Sequence, residues 1–151
     1  VMSEEKANAL GLEPLAYFRG FTVSGCEPDE MGIGPIFAVP KLLKAAGLEV
    51  ADIDLWELNE AFASQVLSTL AAWEDETFCQ ERLGLDAPLG SIDRSKLNVN
   101  GSSLAAGHPF AATGGRILAT AAKLLDEKGS GRALVSICAA GGQGVTCILE
   151  K

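Results

Sequence analysis

The chain has 151 residues, of which 48% are hydrophobic and 21% are charged. This length is sufficient for one compact domain with a buried core. Twenty acidic residues against twelve basic residues give a formal net charge of -8, which excludes the basic surface that sequence-independent nucleic-acid binding requires, so we expect no nucleic-acid partner.

Strand and helix patterns alternate along the chain, which favours an α/β domain with a mainly parallel sheet. After a polar lead-in at residues 1–14, residues 15–24 are rich in aromatic and β-branched side chains and are predicted to form the first strand. A Gly-Pro start and Gly47 as a C-cap predict a helix over residues 36–46. Pro40 is expected to kink or delay this helix.

The middle of the chain is predicted to form a second strand and a second helix. Residues 53–58 are short and apolar, which is typical of a buried strand. Residues 60–73 are predicted to be helical because their large apolar side chains recur at helical spacing. These side chains are Phe62, Val66, Leu70 and Trp73. The charged, irregular composition of residues 74–96 predicts an excursion on the surface.

The last third of the chain is predicted to contain three strands and one helix. Residues 97–100 are expected to form a brief strand that leads into the loop of the only histidine, His108. A helical pattern resumes over residues 114–127. Residues 133–138 and 145–150 form two strands joined by a glycine-rich turn, so the last strand should run antiparallel to its neighbour.

The cysteine count and the hydropathy pattern indicate a cytoplasmic protein with reduced thiols. No segment reaches the roughly 18 consecutive apolar residues of a membrane span, and residues 1–10 carry charges where a signal peptide is apolar. The four cysteines have neither the paired spacing of a zinc site nor the density of a disulfide-rich secreted domain. Together with a single histidine, this spacing predicts no metal site.

Three polar residues lie at predicted strand ends or in loops, where open α/β sheets bind their ligands. They are Asn59, His108 and Cys138. An imidazole exchanges protons near neutral pH, and a thiol acts as a base once its surroundings favour the thiolate. Backbone N–H groups at Gly141 and Gly142 can stabilise an oxyanion or enolate. The combination predicts acyl or thiol chemistry.

Each of these residues also has a purely structural interpretation. Cys138 can be a small buried hydrophobe, Asn59 can cap the following helix, and His108 can be a surface residue. The ring of Phe62 can belong to the core, and residues 141–144 can be only a tight hairpin turn. The residues taken one at a time leave these alternatives open. Cys26, Cys79 and Cys147 have no glycine-rich or basic setting and are interpreted as structural.

Three separated motifs occur together in this chain: NEAFA at residues 59–63, NVNG at 98–101 followed by GHP at 107–109, and CAAGGQG at 138–144. In this order they resemble motifs in the C-terminal half of the thiolases, a family of coenzyme A-dependent acyltransferases. The resemblance covers roughly residues 15–151, which we predict to be one thiolase-like C-terminal domain.

The resemblance implies a mixed five-stranded sheet with helices on both faces and an antiparallel last strand. It also implies that His108 activates a nucleophilic cysteine, and that Cys138 moves a proton on or off the α-carbon of acetyl-CoA. Asn59 would hold a water that forms an oxyanion hole with His108, and the backbone N–H of Ala140 would help to form a second one. Several positions of the motifs are implied to bind substrate. They are Phe62, Gly107, Pro109, Ala140, Gly141 and Gly142.

In thiolases the nucleophilic cysteine lies in an N-terminal half with the same fold, and neither Cys26 nor Cys79 matches its motif. The expected partners are therefore an N-terminal thiolase half, an acyl-CoA substrate and further copies of the chain, and the chain alone is expected to be inactive. Coenzyme A thioesters are substrates in this family, and no metal or redox cofactor is implied. Residues 74–96, 105–114 and 138–144 together are more similar to degradative 3-ketoacyl-CoA thiolases of fatty-acid β-oxidation than to compact biosynthetic thiolases.

Two other functions are compatible with parts of the pattern. One is a non-catalytic acyl-CoA-binding or lipid-binding module that keeps a thiolase-like fold. The other is an independent cysteine hydrolase with Cys138 as nucleophile and His108 as base. The presence of Asn59, His108 and Cys138 together favours a catalytic role over pure binding, because a binder needs no such acid/base set.

Overall fold

Four strands form one mixed sheet in the computed structural model, which describes residues 1–151. The strands are β1 (Tyr17–Gly25), β2 (Leu55–Leu58), β3 (Arg132–Ala139) and β4 (Gln143–Glu150), in the spatial order β1-β4-β3-β2. β4 is antiparallel to both β1 and β3, whereas β2 and β3 are parallel. The antiparallel last strand is thereby confirmed, but the expectation of a mainly parallel sheet is wrong.

Six α-helices accompany the sheet. They are α1 (Glu4–Ala9), α2 (Gly34–Ala46), α3 (Ala63–Glu74), α4 (Glu76–Leu83), α5 (Ser103–Ala106) and α6 (Thr113–Lys128). Three short 3-10 helices lie at Pro28–Ile33, Val50–Asp52 and Arg94–Lys96. α2 continues through Pro40 and ends at Gly47, whose left-handed conformation caps it as expected. No helix combines the length and the apolar character that a membrane crossing needs.

The prediction of a fifth strand at residues 97–100 is wrong. Leu97 makes only an isolated bridge to Trp56 of β2. The next residue, Asn98, has φ of 47°, and Gly101 has φ of 78°. Both values lie in the left-handed region, so the chain turns away from the sheet before a ladder can form.

Two helix predictions also need correction. The helix predicted from residue 60 begins three residues later, because Phe62 is still extended, with φ of −143°. Within the predicted surface excursion, residues 76–83 form helix α4. The carboxylate of Asp75 accepts a hydrogen bond from the Phe78 N–H at 2.6 Å, and Gly84 ends the helix in a left-handed conformation.

Apolar clusters on both faces of the sheet hold the layers together, which confirms that helices cover both faces. On one face, α2 and α3 pack on the sheet around Trp56 and Trp73, whose ring centroids lie 6.1 Å apart. The indole N–H of Trp73 also donates to the carbonyl of Ile36 at 3.2 Å. On the other face, α6 packs against β3 and β4 through Ile117 and Leu125, among others.

The first turn of α2 lies directly against β4, beside the turn that joins β3 and β4. A Cβ atom added to Gly34 would meet the backbone of Gln143 and Gly144, and one added to Gly144 would meet the backbone of Gly34. Glycine at both positions therefore allows two main chains to touch. This contact sets the position of the β3–β4 turn relative to the rest of the domain.

We expect Gly144→Ala to lower the free energy of unfolding by about 1–3 kcal/mol, because a methyl group there must displace backbone atoms. Gly115→Ala is the matched control, since a Cβ at this helical glycine meets nothing within 4 Å and alanine is the better helix former by up to about 1 kcal/mol. Urea unfolding followed by circular dichroism measures both variants. Equal midpoints for Gly144→Ala and the unsubstituted chain would contradict the close contact.

Candidate active site

Asn59 and Cys138 lie at the same edge of the sheet, where the parallel strands β2 and β3 end. Asn59 follows β2, and its backbone N–H donates to the carbonyl of Ser136 on β3 at 2.9 Å. Cys138 is two residues further along β3. Both residues are buried, with exposed fractions of 1% and 7%. This edge is where open α/β sheets bind ligands.

The side chain of Asn59 does not cap the following helix, which begins only at Ala63. Its Oδ1 instead accepts a hydrogen bond from the hydroxyl of Ser103 at 2.6 Å. Its Nδ2 lies 3.5 Å from Nε2 of His108. The capping interpretation of Asn59 is therefore wrong, and the structure brings Asn59 and His108 together.

His108 lies half-buried between α5 and α6, after Gly107, whose φ is 86°. Its Nδ1 lies 2.8 Å from Oγ1 of Thr113. The Thr113 hydroxyl donates to the carbonyl of Pro109 at 3.1 Å, so Oγ1 accepts from an Nδ1–H group of the imidazole. We assign the Nδ1–H tautomer on these hydrogen bonds. Nε2 then carries the lone pair and is the nitrogen that can accept a proton.

A buried asparagine fastens the histidine-bearing segment to the end of β2. Oδ1 of Asn98 accepts from the Leu58 N–H at 3.0 Å, and Nδ2 donates to the Leu58 carbonyl and to Oε1 of Glu60, each at 2.9 Å. Oε2 of Glu60 accepts from the Leu104 N–H at 3.3 Å. Asparagine tolerates the left-handed backbone that this position requires. Sequence analysis recognised Asn98 only as part of a motif and did not predict this role.

Cys138 leads into the hairpin turn of residues 140–142. Gly141 and Gly142 have φ of 87° and 86°, and a Cβ at Gly142 would meet the carbonyl of Cys26. Cys26 in turn donates its N–H to the carbonyl of Gly142 at 2.8 Å. The segment is therefore a hairpin turn as the structural interpretation proposed, and its glycines are required by conformation and space. The N–H of Ala140 in this turn makes no hydrogen bond to another protein group.

Burial raises the pKa of the Cys138 thiol above its ordinary value. The pKa of Cys26 is also raised, by burial first and then by the negative charge of Glu30. Cys138 makes no hydrogen bond with His108 or Asn59. The structure thus places Cys138 at the same sheet edge as Asn59, without a hydrogen bond from its thiol to either of the other two residues. The buried Cys147, whose pKa burial raises to about 11, packs in the core on the α6 face.

Exposed apolar side chains occur on the segments that carry Asn59 and His108. Phe62, Leu104 and Phe110 have exposed fractions of 68%, 61% and 87%. The ring of Phe110 lies edge-on to the His108 ring, with centroids 5.2 Å apart. The core interpretation of Phe62 is therefore wrong. Of the remaining positions predicted to bind substrate, Gly107, Pro109, Ala140 and Gly141 are exposed and Gly142 is buried.

One buried carboxylate near the site was not predicted. Glu57 lies in β2, two residues before Asn59, with an exposed fraction of 1%. Its Oε2 atom is buried and has no hydrogen-bond partner. Burial raises the pKa of Glu57 to about 7, the positive charge of Arg116 opposes this rise, and Glu60 adds to it. The sequence did contain a signal for Glu57, because it is a charged residue within a strand predicted to be buried.

Two other features do not belong to the site. A cleft of about 750 Å³ lies between the C-terminal end of α2 and residues 84–96, and none of the predicted site residues lines it. No group of three or more histidine, cysteine, aspartate or glutamate side chains is arranged to hold a metal ion.

Comparison with known proteins agrees with this geometry. Residues 12–151 match the family described as "Thiolase, C-terminal domain". A 3-ketoacyl-CoA thiolase of Yersinia pestis (strain Pestoides F) is 46% identical over 151 residues, covering 99% of this chain and 35% of the relative. The chain therefore spans about a third of the length of the curated relatives it matches.

Two solved structures are similar over nearly the whole chain. The acetyl-CoA acetyltransferase of Bacillus anthracis superposes with a TM-score of 0.80 and 40% identity, covering 99% of this chain and 34% of that one. The human mitochondrial 3-ketoacyl-CoA thiolase in complex with CoA also has a TM-score of 0.80 and 40% identity, with 99% and 33% of the two chains covered.

We expect Glu57→Gln to change how stability depends on pH. Because the pKa of Glu57 is higher in the folded chain than its ordinary value of 4.5, the folded state binds the proton more tightly, and stability falls as pH rises from about 4.5 to about 7. The variant lacks this contribution, which amounts to at most about 3 kcal/mol and less where water screens the site. Its free energy of unfolding relative to the unsubstituted chain should therefore rise between pH 4.5 and pH 8. Urea titrations across this range measure the difference, and parallel curves would contradict a buried, titrating Glu57.

Proposed function

The chain belongs to the thiolase family, whose C-terminal domain it matches over residues 12–151, and from this premise we propose that it is the C-terminal half of a 3-ketoacyl-CoA thiolase. The complete protein would use coenzyme A to cleave a 3-ketoacyl-CoA into acetyl-CoA and an acyl-CoA shortened by two carbons. The observation that carries the proposal is the contact of Asn59 with His108 at the sheet edge where Cys138 also lies. The names of the relatives support the substrate class.

The first chemical step requires a nucleophilic cysteine, which we assign to an N-terminal half outside these 151 residues. Nε2 of His108 accepts the proton of that thiol, and the resulting thiolate attacks the 3-keto carbon. The lone pair on Nε2 follows from the hydrogen bond between Nδ1–H and Thr113. The N–H of Ala140, which has no partner within the chain, is available to the tetrahedral oxyanion.

Collapse of this intermediate breaks the bond between C2 and C3 and leaves an acyl-enzyme together with the enolate of acetyl-CoA. Asn59 and His108 stabilise the thioester oxygen of the enolate, with a water held by Asn59. The thiol of Cys138 gives its proton to the α-carbon. The incoming coenzyme A thiol returns a proton to Cys138 and attacks the acyl-enzyme, and the released cysteine thiolate recovers the proton held by His108. All protons and charges are thereby restored.

The raised pKa of Cys138 supports its assignment as the group that protonates the α-carbon. Burial keeps its sulfur as a neutral thiol near neutral pH, which is the form that can protonate a carbanion. An independent hydrolase would need the thiolate form at the same position. The exposed ring of Phe110 beside His108 offers apolar surface for an acyl chain or for the N-terminal half, as do the exposed side chains of Phe62 and Leu104 on the neighbouring segments.

We further propose that the complete protein acts in fatty-acid β-oxidation, in the cytoplasm and as a homo-oligomer. The bacterial 3-ketoacyl-CoA thiolases among the relatives support this setting. The coenzyme A bound in the human structure supports coenzyme A thioesters as substrates. The proposed steps use two cysteine thiols, the coenzyme A thiol, an imidazole, the Asn59 amide with a water and a backbone N–H group, so the mechanism assigns no role to a metal or to a redox cofactor.

We expect thiolysis of acetoacetyl-CoA and of a medium-chain 3-ketoacyl-CoA when the chain is joined to a thiolase N-terminal half. His108→Ala and Cys138→Ala should each lower kcat by about 10²–10⁴-fold, because each removes a group that transfers protons. Cys147→Ala, a core substitution on the sheet face that α6 covers, is the matched control and should retain activity. The loss of the absorbance of the 3-ketoacyl-CoA enolate measures the rate. No thiolysis by a folded, assembled protein would overturn the proposal and favour acyl-CoA binding without catalysis.

We also expect a short acyl-CoA to acylate the assembled protein on the N-terminal half and to leave Cys138 unmodified. In the proposed mechanism Cys138 carries only a proton and never the acyl group. Peptide mass spectrometry after rapid acid quenching locates the label. An acyl group on Cys138, in the assembled protein or in the 151-residue chain alone, would favour the cysteine hydrolase.

A further inference from the structure

A continuous series of polar contacts runs from helix α6 to the imidazole. Nη2 of Arg116 donates to the Ser103 hydroxyl at 2.9 Å, and this hydroxyl donates to Oδ1 of Asn59 at 2.6 Å. Nδ2 of Asn59 then faces Nε2 of His108 at 3.5 Å. The other ring nitrogen is held by Thr113. Arg116 and Thr113 are three residues apart on the first turns of α6, so they share one face of that helix.

Arg116 determines which group donates and which accepts at each hydrogen bond of this series. A guanidinium group has only donors, so the Ser103 hydroxyl must accept from it. The single proton of that hydroxyl is then free to go to Oδ1 of Asn59, which turns Nδ2 toward the histidine. An N–H group facing Nε2 is compatible only with an unprotonated Nε2. Without a fixed donor at Ser103, this orientation of the Asn59 amide would depend only on the contact of His108 Nδ1 with Thr113.

A buried carboxylate lies near enough to Arg116 for their charges to interact, although no ion pair joins them. Oε2 of Glu57 and Nε of Arg116 are both buried without a hydrogen-bond partner. The positive charge of Arg116 lowers the pKa of Glu57 against the larger effect of burial. Glu57 lies in β2, two residues before Asn59. The attraction between these charges favours a guanidinium at this place, where it can reach Ser103.

We propose that Arg116 is a positioning residue for the thiolase reaction, acting through Ser103 and Asn59 to keep the proton-accepting lone pair of His108 on Nε2. This inference rests on the proposed function, but its geometric part concerns the histidine alone. Arg116 and Ser103 touch no reacting atom in this arrangement. Their contribution is to hold Nε2 of His108 as the nitrogen that can take the proton of the nucleophilic thiol, in addition to the Thr113 contact at Nδ1.

The first test is nitrogen-15 NMR of the 151-residue chain, in which His108 is the only histidine. At about pH 9 a histidine ring is neutral, and the shifts of its two nitrogens report the tautomer. The unsubstituted chain should contain mainly the Nδ1–H form. Ser103→Ala and Arg116→Met should increase the Nε2–H fraction severalfold, since Oδ1 of Asn59 is then free to turn toward the ring.

Matched controls separate positioning from general loss of structure. Lys123→Met removes a positive charge from the same helix, where Lys123 is exposed and pairs with Glu127 at 3.8 Å. Ser68→Ala removes a hydroxyl from an exposed position of α3. Both controls should keep the tautomer of the unsubstituted chain. If Arg116→Met does not fold, Ser103→Ala alone decides the test, because it leaves Arg116 and Glu57 in place. An unchanged tautomer in folded Ser103→Ala would overturn the proposal.

The second test is kinetic and uses the chain joined to a thiolase N-terminal half. Ser103→Ala should lower kcat about tenfold with KM unchanged, since the step affected is proton transfer and not substrate binding. The double variant Ser103→Ala/Arg116→Met should be no slower than Arg116→Met, because the two residues act in series. An active enzyme with kcat unaffected by Ser103→Ala would overturn the positioning role while leaving the thiolase function intact. Inactivity of the unsubstituted, folded assembly would instead overturn the thiolase function, whatever the NMR result.

Discussion

The parallel pairing of β2 with β3 is the constraint on which the site depends. It aligns the two strands so that both end at one edge of the sheet, and the hydrogen bond from Asn59 to the carbonyl of Ser136 extends the pairing one residue beyond β2. Cys138 lies two residues beyond Ser136 on the neighbouring strand. Two polar residues separated by nearly eighty positions thereby reach the same place. Their positions follow from backbone hydrogen bonds, so the site has a rigid base.

The histidine comes from a third segment, which contacts the edge mainly through side chains and makes only one isolated bridge to β2, from Leu97 to Trp56. Asn98 binds both backbone groups of Leu58, and Glu60 binds the backbone of Leu104. The left-handed backbone at Asn98 ends the extended structure before a fifth strand can form. The residues that abolish the predicted strand are thus the same ones that bring His108 to Asn59. The loss of one ladder is offset by a set of specific polar contacts at the site.

The sequence predicted the parts of this domain that depend on local pattern. Strands β1 to β4 were recognised because their side chains are apolar or β-branched along short runs. The start of α3 was placed too early, because apolar spacing includes Phe62 although its backbone is extended. Helix α4 was not predicted, because residues 76–83 have little apolar periodicity and depend on Asp75 and Gly84 for their ends.

The residues of the site were likewise predictable only where a local pattern identifies them. Asn59, His108 and Cys138 carry chemistry of their own and lie in short motifs, so sequence analysis singles them out. Ser103 and Arg116 matter only through what they contact, and those contacts join α5, α6 and the end of β2. No local pattern encodes them. Because a hydroxyl can both donate and accept, only a neighbour limited to donation can fix its direction, and a guanidinium is such a neighbour. In the proposed arrangement, a half-buried arginine outside the motifs therefore helps to set the tautomer of a histidine that it does not hydrogen-bond.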